Sequence, residues 1–331
     1  MPNRHSSLAP ACPAAAGRRP SRPGFLGGPG PILASAVLWG TTGTASSLAP
    51  AGAPAAAIGC AGLTLGGMLL FLSSRRARSL PIACTRPERW LLVVGALAVA
   101  AYPVTFYPAV ARTGVAVATV VALGSAPVFA GLLSWLTRQA RPTARWSGAT
   151  VAAVLGCTLL VLGPRLTGHA TPIASAGVVL AVCAGLSYAA YSLIGGRLIA
   201  CGHPSEAVMG VLFGAAGLLV LPLVSVTDMR WLATTRGAAV ALYLALVTVY
   251  LAYRLFGHGL RRTPASVATS LTLAEPAVAA VLGVAVLDER LPAASWSGMI
   301  VLALGLLLLT MPAGARRQGD DPTRTYPTAP Q

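Results

Sequence analysis

The 331-residue chain is 55% hydrophobic and only 10% charged, with a mean hydropathy of +0.72. A soluble chain carries about a quarter charged residues, so a single water-soluble globule is excluded. The net charge of +16 rests wholly on arginine, there being no lysine, and the arginines fall between apolar runs. There they act as topology and lipid-headgroup signals rather than as a nucleic-acid surface.

Residues 1–30 are rich in Pro, Ala, Gly and Arg and lack the apolar core of a cleaved signal peptide, so a disordered basic tail is expected. Ten apolar runs follow, at about 31–50, 54–73, 90–110, 114–136, 146–163, 172–194, 206–226, 238–260, 265–287 and 293–311. Each is long enough to cross a bilayer as a helix, and their continuous rather than alternating apolarity favours helices over a barrel. The expected fold is an all-α polytopic membrane protein of ten transmembrane helices, with residues 313–331 as a cytoplasmic tail. Cys60, Cys157 and Cys183 lie inside runs and are read as small core residues, since no Cys-x-x-Cys spacing occurs.

Arginine placement sets the orientation. With the N-terminus inside, 19 arginines fall on the cytoplasmic side and 5 (Arg112, Arg165, Arg230, Arg236, Arg290) outside. This bias predicts a multi-pass inner-membrane protein with both termini cytoplasmic.

The chain also repeats itself. Shifted by 150 positions, Thr113 falls on Thr263, Ala118-Thr119 on Ala268-Thr269, Pro142 on Pro292, and Trp146-Ser147-Gly148 on Trp296-Ser297-Gly298. The runs therefore divide into two five-helix repeats, 31–163 and 172–312. Five spans per copy, an odd number, turn the second copy upside down relative to the first. The hairpin before Trp146 is basic (Arg138, Arg141, Arg145) and that before Trp296 is mixed and acidic (Asp288, Glu289, Arg290), as opposite sides of a membrane require. Inverted repeats are a mark of secondary transporters, whose site lies between the halves near the midplane.

With these residues in view, the chain resembles the drug/metabolite transporter superfamily, in its EamA-type ten-helix branch. The resemblance rests on Trp39-Gly40, Ala252-Tyr253, Gly259-Leu260-Arg261-Arg262, Glu275-Pro276 and Glu289-Arg290-Leu291 with Trp296-Ser297-Gly298. Tyr102, Phe106-Tyr107 and Pro127 echo it in the first half. It covers roughly residues 30–312 and implies export of a small metabolite. One position departs: Gln139 stands where many copies carry a glutamate near the end of the fourth helix.

Glu275 is the acidic side chain placed deep in an apolar run, and an ionisable group at membrane depth faces a cavity or a partner. Pro276 beside it removes a helical hydrogen bond and leaves a carbonyl free near Thr272. Pro127 repeats the kink in the first half without the charge. Arg254 either snorkels to the inner interface or pairs with Glu275. Among the aromatics in the runs, Tyr102 and Tyr253 hold comparable places in the two halves, as do Trp39 and Tyr188, and these four are the expected cavity lining. Gly62-x-x-x-Gly66 and Gly210-x-x-x-Gly214 are expected helix-packing sites, compatible with a monomer or a homodimer.

No phosphate-binding loop or zinc-protease motif occurs, so neither ATP nor any cofactor or metal is expected. The reading is a non-enzymatic secondary transporter exporting an amino acid or related amphipathic compound by alternating access, with proton coupling through Glu275 as a further expectation. The alternatives are an uptake carrier of the same fold and, in another class, a membrane-embedded lipid-processing enzyme.

Overall fold

The computed structural model describes residues 27–139, 142–163, 174–225, 227–287 and 291–311. Both tails and the Asp288-Glu289-Arg290 hairpin lie outside them. Among the described residues the secondary structure is helical throughout, with no strand. Eight helices among the described residues are long and apolar enough to cross a membrane, each holding at least 18 residues.

The ten expected runs map onto these helices with instructive differences. The first run is two short helices, α1 (Pro29–Gly40) and α2 (Thr42–Ser47). The chain breaks at Thr41, whose hydroxyl donates to the Leu38 carbonyl at 2.6 Å. Glycines and small hydroxylated residues on both sides hold a helix weakly. After α3 (Ala55–Ser73), the stretch expected as a loop forms α4 (Arg75–Ala83), with Ala77 and Leu80 buried beneath exposed arginines.

The third and fourth runs form one 51-residue element, α5 (Arg86–Leu136). At 1.5 Å per residue it would measure about 76 Å, more than twice a hydrocarbon core of about 30 Å. It turns at Gly114, whose φ of +80° and ψ of 159° only glycine adopts without strain. Its two arms are therefore separate spans.

Then follow α6 (Ala144–Leu162), α7 (Ser175–Ala200), α8 (Ser205–Ser225) and α9 (Thr235–Tyr243). The eighth run continues from α9 through a π-helical stretch, Leu244–Leu251, into α10 (Ala252–Gly259). The ninth is interrupted at Thr272-Leu273, between α11 (Ala265–Leu271) and α12 (Ala274–Leu287), and α13 (Ala293–Thr310) closes the bundle.

Helices holding the same place in the two halves pack on each other through glycine. Gly67 of α3 lies against the Phe213 carbonyl of α8. A Cβ on Gly210 of α8 would sit 2.9 Å from the Leu70 carbonyl oxygen, and one on Gly217 3.2 Å from the Thr64 Cα. As numbers rise along α3 they fall along α8, so the pair is antiparallel. The same holds for α6 and α13. Gly156 approaches Gly298 and Leu302, and Gly305 approaches Ala149 and Ala153. Ser295 donates to the Leu160 carbonyl at 2.8 Å, and Arg145 at the start of α6 donates to the Leu308 carbonyl at the end of α13 at 3.1 Å. Of the two expected packing motifs, Gly210-x-x-x-Gly214 meets α3, whereas Gly62-x-x-x-Gly66 receives the π-helical stretch at Leu244, Ala245 and Val249.

Outside this core the surface is a belt of exposed Leu, Val and Ile, including Val93, Val94, Leu97, Leu218 and Leu219. Cys60 and Cys157 are buried as expected, but Cys183 is exposed on that belt.

Candidate functional site

The centre of the bundle holds a cavity of about 220 Å³. Trp39 of α1, Tyr102, Phe106 and Tyr107 of the first arm of α5, and Tyr188 and Tyr191 of α7 supply most of its aromatic wall. Phe213 of α8, Thr248 of the π-helical stretch and Tyr253 of α10 add to it, and Glu275 enters from the first turn of α12. Five of the expected residues, Trp39, Tyr102, Tyr188, Tyr253 and Glu275, thus meet in one place.

The aromatic rings brace one another. Trp39 lies 4.9 Å from Tyr253 and 6.5 Å from Tyr188 between centroids, Tyr102 stacks on Phe106 at 5.5 Å, and Phe213 lies 3.8 Å from Tyr253. Their polar atoms are largely committed to protein partners. The Trp39 indole N–H donates to the Thr248 carbonyl at 2.8 Å, the Tyr188 hydroxyl donates to Thr272 Oγ1 at 2.8 Å, and the Tyr191 and Tyr253 hydroxyls share a hydrogen bond at 3.1 Å. Ring pairs at such separations add about 0.5–1.5 kcal/mol each beyond burial, so the wall is stiff.

Glu275 differs. Among the described residues its carboxylate has neither an ion pair nor a hydrogen-bond partner, and it is the only formally charged side chain in the lining. Its backbone N–H donates to the Thr272 carbonyl at 3.0 Å, so the carbonyl expected to be freed by Pro276 is occupied by a tighter turn. The break in the ninth span, at Thr272-Leu273, therefore lies three to four residues ahead of the proline. It carries the carboxylate into the cavity at the start of α12 rather than on the flank of an unbroken helix.

Three expected residues lie outside the lining. Pro276 is buried in the first turn of α12, just past the break, and Pro127 is buried inside the second arm of α5, which runs helical through it. Arg254 is exposed, with Nη1 donating to the Tyr250 hydroxyl at 3.0 Å and the guanidinium carbon 5.4 Å from that ring's centroid. It makes no pair with Glu275: adjacent helical residues project about 100° apart, so with Tyr253 turned inward Arg254 points to the flank. Phe213, Thr248 and Thr42 join the lining without having been expected. Phe213 sits in a uniformly apolar run, and Thr248 depends on a local π-helix, so neither carried a signal.

The cavity extends in one direction. Thr42, Gly59, Tyr107 and Leu244 line it toward the end that carries the Gly114 turn. At the opposite end, Ile32, Leu198, Met209 and Phe256 are fully buried and close it.

Comparison with known proteins gives a consistent result. The family described as EamA-like transporter family matches residues 29–162 and again 175–311. A Bacillus subtilis (strain 168) protein named uncharacterized transporter YwfM is 39% identical over 288 residues, covering 87% of this chain and 94% of its own. Protein PecM of Dickeya dadantii (strain 3937) is 28% identical over 282 residues, with 82% and 88% covered. A solved crystal structure at 20% identity aligns with a TM-score of 0.69 over 84% of this chain and 94% of the other, a likeness of fold.

Proposed function

This chain belongs to the EamA-like transporter family, and from that premise we propose that it exports a small amphipathic metabolite carrying an amine, such as an amino acid derivative. It works by alternating access around the central cavity. The observation that carries the reading is the unpartnered Glu275 carboxylate set in an aromatic wall. A carboxylate beside several ring faces suits a cationic amine on an apolar body, because both the charge and the ring quadrupoles attract it. The resemblance of the sequence supports export over uptake.

Two features support a mechanism of rocking halves. The antiparallel α3–α8 and α6–α13 pairs are what two copies related by an axis in the membrane plane produce, so the repeats are read as inverted. The arginine bias supports a cytoplasmic position for the closed end of the cavity and for both termini, in an inner membrane. On this reading the carrier is sealed at its inner mouth. Glu275 takes a proton when the amine leaves and releases it when the amine binds, which couples flux to the proton gradient.

The test is metabolite profiling of medium from cells with the intact protein, with Glu275→Gln and with neither, followed by proteoliposome flux of the compound found. A compound that accumulates only with the intact protein names the cargo. Flux indifferent to Glu275→Gln would overturn the site, and flux that ignores an imposed pH gradient would overturn proton coupling.

A further inference from the structure

We propose that Cys84, Glu88 and His203 form a zinc-binding site that ties the two halves of the chain together at the closed end of the bundle. The sequence gives no metal spacing there, because Glu88 and His203 are 115 positions apart. The fold nevertheless gathers their donor atoms, each within 4.8 Å of the others.

Local structure aims each of them. Cys84 ends α4, its N–H bonded to the Leu80 carbonyl at 3.0 Å, and its side chain is 3% exposed. Glu88 is in the first turn of α5. One of its oxygens accepts from the Thr85 N–H and the Thr85 hydroxyl, both at 2.8 Å, which fixes the carboxylate and leaves the other oxygen facing His203. His203 follows Gly202, whose φ of +98° turns the chain out of α7, and its own N–H returns to the Leu198 carbonyl at 3.3 Å.

The spacing suits an ion. His203 Nε2 lies 3.7 Å from Cys84 Sγ and 3.2 Å from Glu88 Oε1. Around a tetrahedral zinc with bonds of about 2.3 Å to sulfur and about 2.0–2.1 Å to nitrogen and oxygen, the S–N and N–O separations are about 3.6 and 3.4 Å. A thiolate and a carboxylate balance a divalent charge, and sulfur with imidazole selects zinc over magnesium or calcium. The Thr85 bonds hold the carboxylate as outer-shell partners hold a ligand. Three protein ligands leave one position for water, and the partial exposure of His203 (18%) and Glu88 (17%) gives an ion access.

Position gives the site its consequence. It joins the α4–α5 corner of the first half to the α7–α8 turn of the second. A bound ion therefore resists separation of the halves there, whatever the cargo.

The test uses the tag-free, metal-stripped full chain in detergent, titrated with Zn²⁺ by calorimetry and with Co²⁺ by absorption. One Zn²⁺ per chain is expected, together with a thiolate-to-cobalt charge-transfer band. Cys84→Ser should abolish the band, and Cys84→Ser and His203→Gln should each weaken Zn²⁺ binding at least about tenfold, the lower bound for even outer-shell partners. His258→Gln should leave both readouts unchanged, with gel-filtration profiles confirming that each variant is folded. No stoichiometric Zn²⁺ binding, or binding equal in the intact protein, Cys84→Ser and His203→Gln, would overturn the site.

Discussion

Replacing Gly156 by alanine tests how the two halves are joined. A methyl at this position would lie 2.7 Å from both the Gly298 carbonyl oxygen and the Leu302 Cα, and closer still to the Leu302 nitrogen. These are backbone atoms of α13 and cannot rotate away. Ordinary contact begins near 3.4 Å, so the helices must part by at least about 0.7 Å. Close backbone approach is the main attraction between helices in lipid, where apolar burial offers little. Overpacking of this kind costs about 1–3 kcal/mol. The approach at Gly156 is tighter than that at Gly305, where the nearest backbone atom is 2.8 Å from the added methyl, which places Gly156→Ala at the upper end, with a thermal midpoint several degrees lower by fluorescence-detected gel filtration. Gly148→Ala, on the same helix, is the control. Its methyl would meet nothing within 4 Å, and alanine is the better helix former by about 1 kcal/mol. A Gly156→Ala protein that unfolds at or above the temperature of Gly148→Ala would refute the glycine-mediated contact.

Trp39→Phe keeps the ring contacts but leaves the Thr248 carbonyl without its donor, and should cost about 1–3 kcal/mol in the same assay. Tyr188→Phe removes only the bond to Thr272, a loss of about 1 kcal/mol. It should also change flux less than Glu275→Gln does. Arg254→Gln should leave cargo affinity in proteoliposome flux unchanged, because the guanidinium lies against Tyr250 on the outer flank. Its hydrogen bond to the Arg230 side chain holds the Asp228 carboxyl below the ordinary range, so any stability it gives exists above about pH 4 and fades as pH falls through the lowered value. Both side chains are exposed, and such a pair adds little, so Asp228→Asn should leave the thermal midpoint unmoved across that range.

Most of the fold was legible because membrane spans are written in run length and charge, and because the Trp-Ser-Gly twin exposed a duplication. The site was legible in part for a similar reason: polar or ionisable side chains are rare in such runs, so Trp39, Tyr102, Tyr188, Tyr253 and Glu275 stood out. What composition cannot show is the direction a side chain takes. Tyr253 and Arg254 are neighbours in sequence, but one faces the cavity and the other the flank. The π-helical stretch at Leu244–Leu251 is equally silent in composition. It lies in the groove at Gly62 and Gly66 and accepts the Trp39 bond at Thr248, contacts that form only in the fold. The Cys84–Glu88–His203 group shows the same limit, since its members converge only when the α4–α5 corner meets the α7–α8 turn.

The distribution of partners in the cavity bears on mechanism more than its shape does. Trp39, Tyr188, Tyr191 and Tyr253 bond to protein atoms and hold the wall in place whether or not cargo is present. Glu275 is left to water, a proton or a cationic ligand. A carboxylate tied to Arg254 would have met its desolvation cost internally and offered a ligand little, and a lipid-facing one would have remained protonated and inert. On the proposed function, a carboxylate in this aromatic cavity lies between these limits, gaining from each cation that arrives and losing little when it goes. Binding strong enough to select and weak enough to release is what a carrier requires.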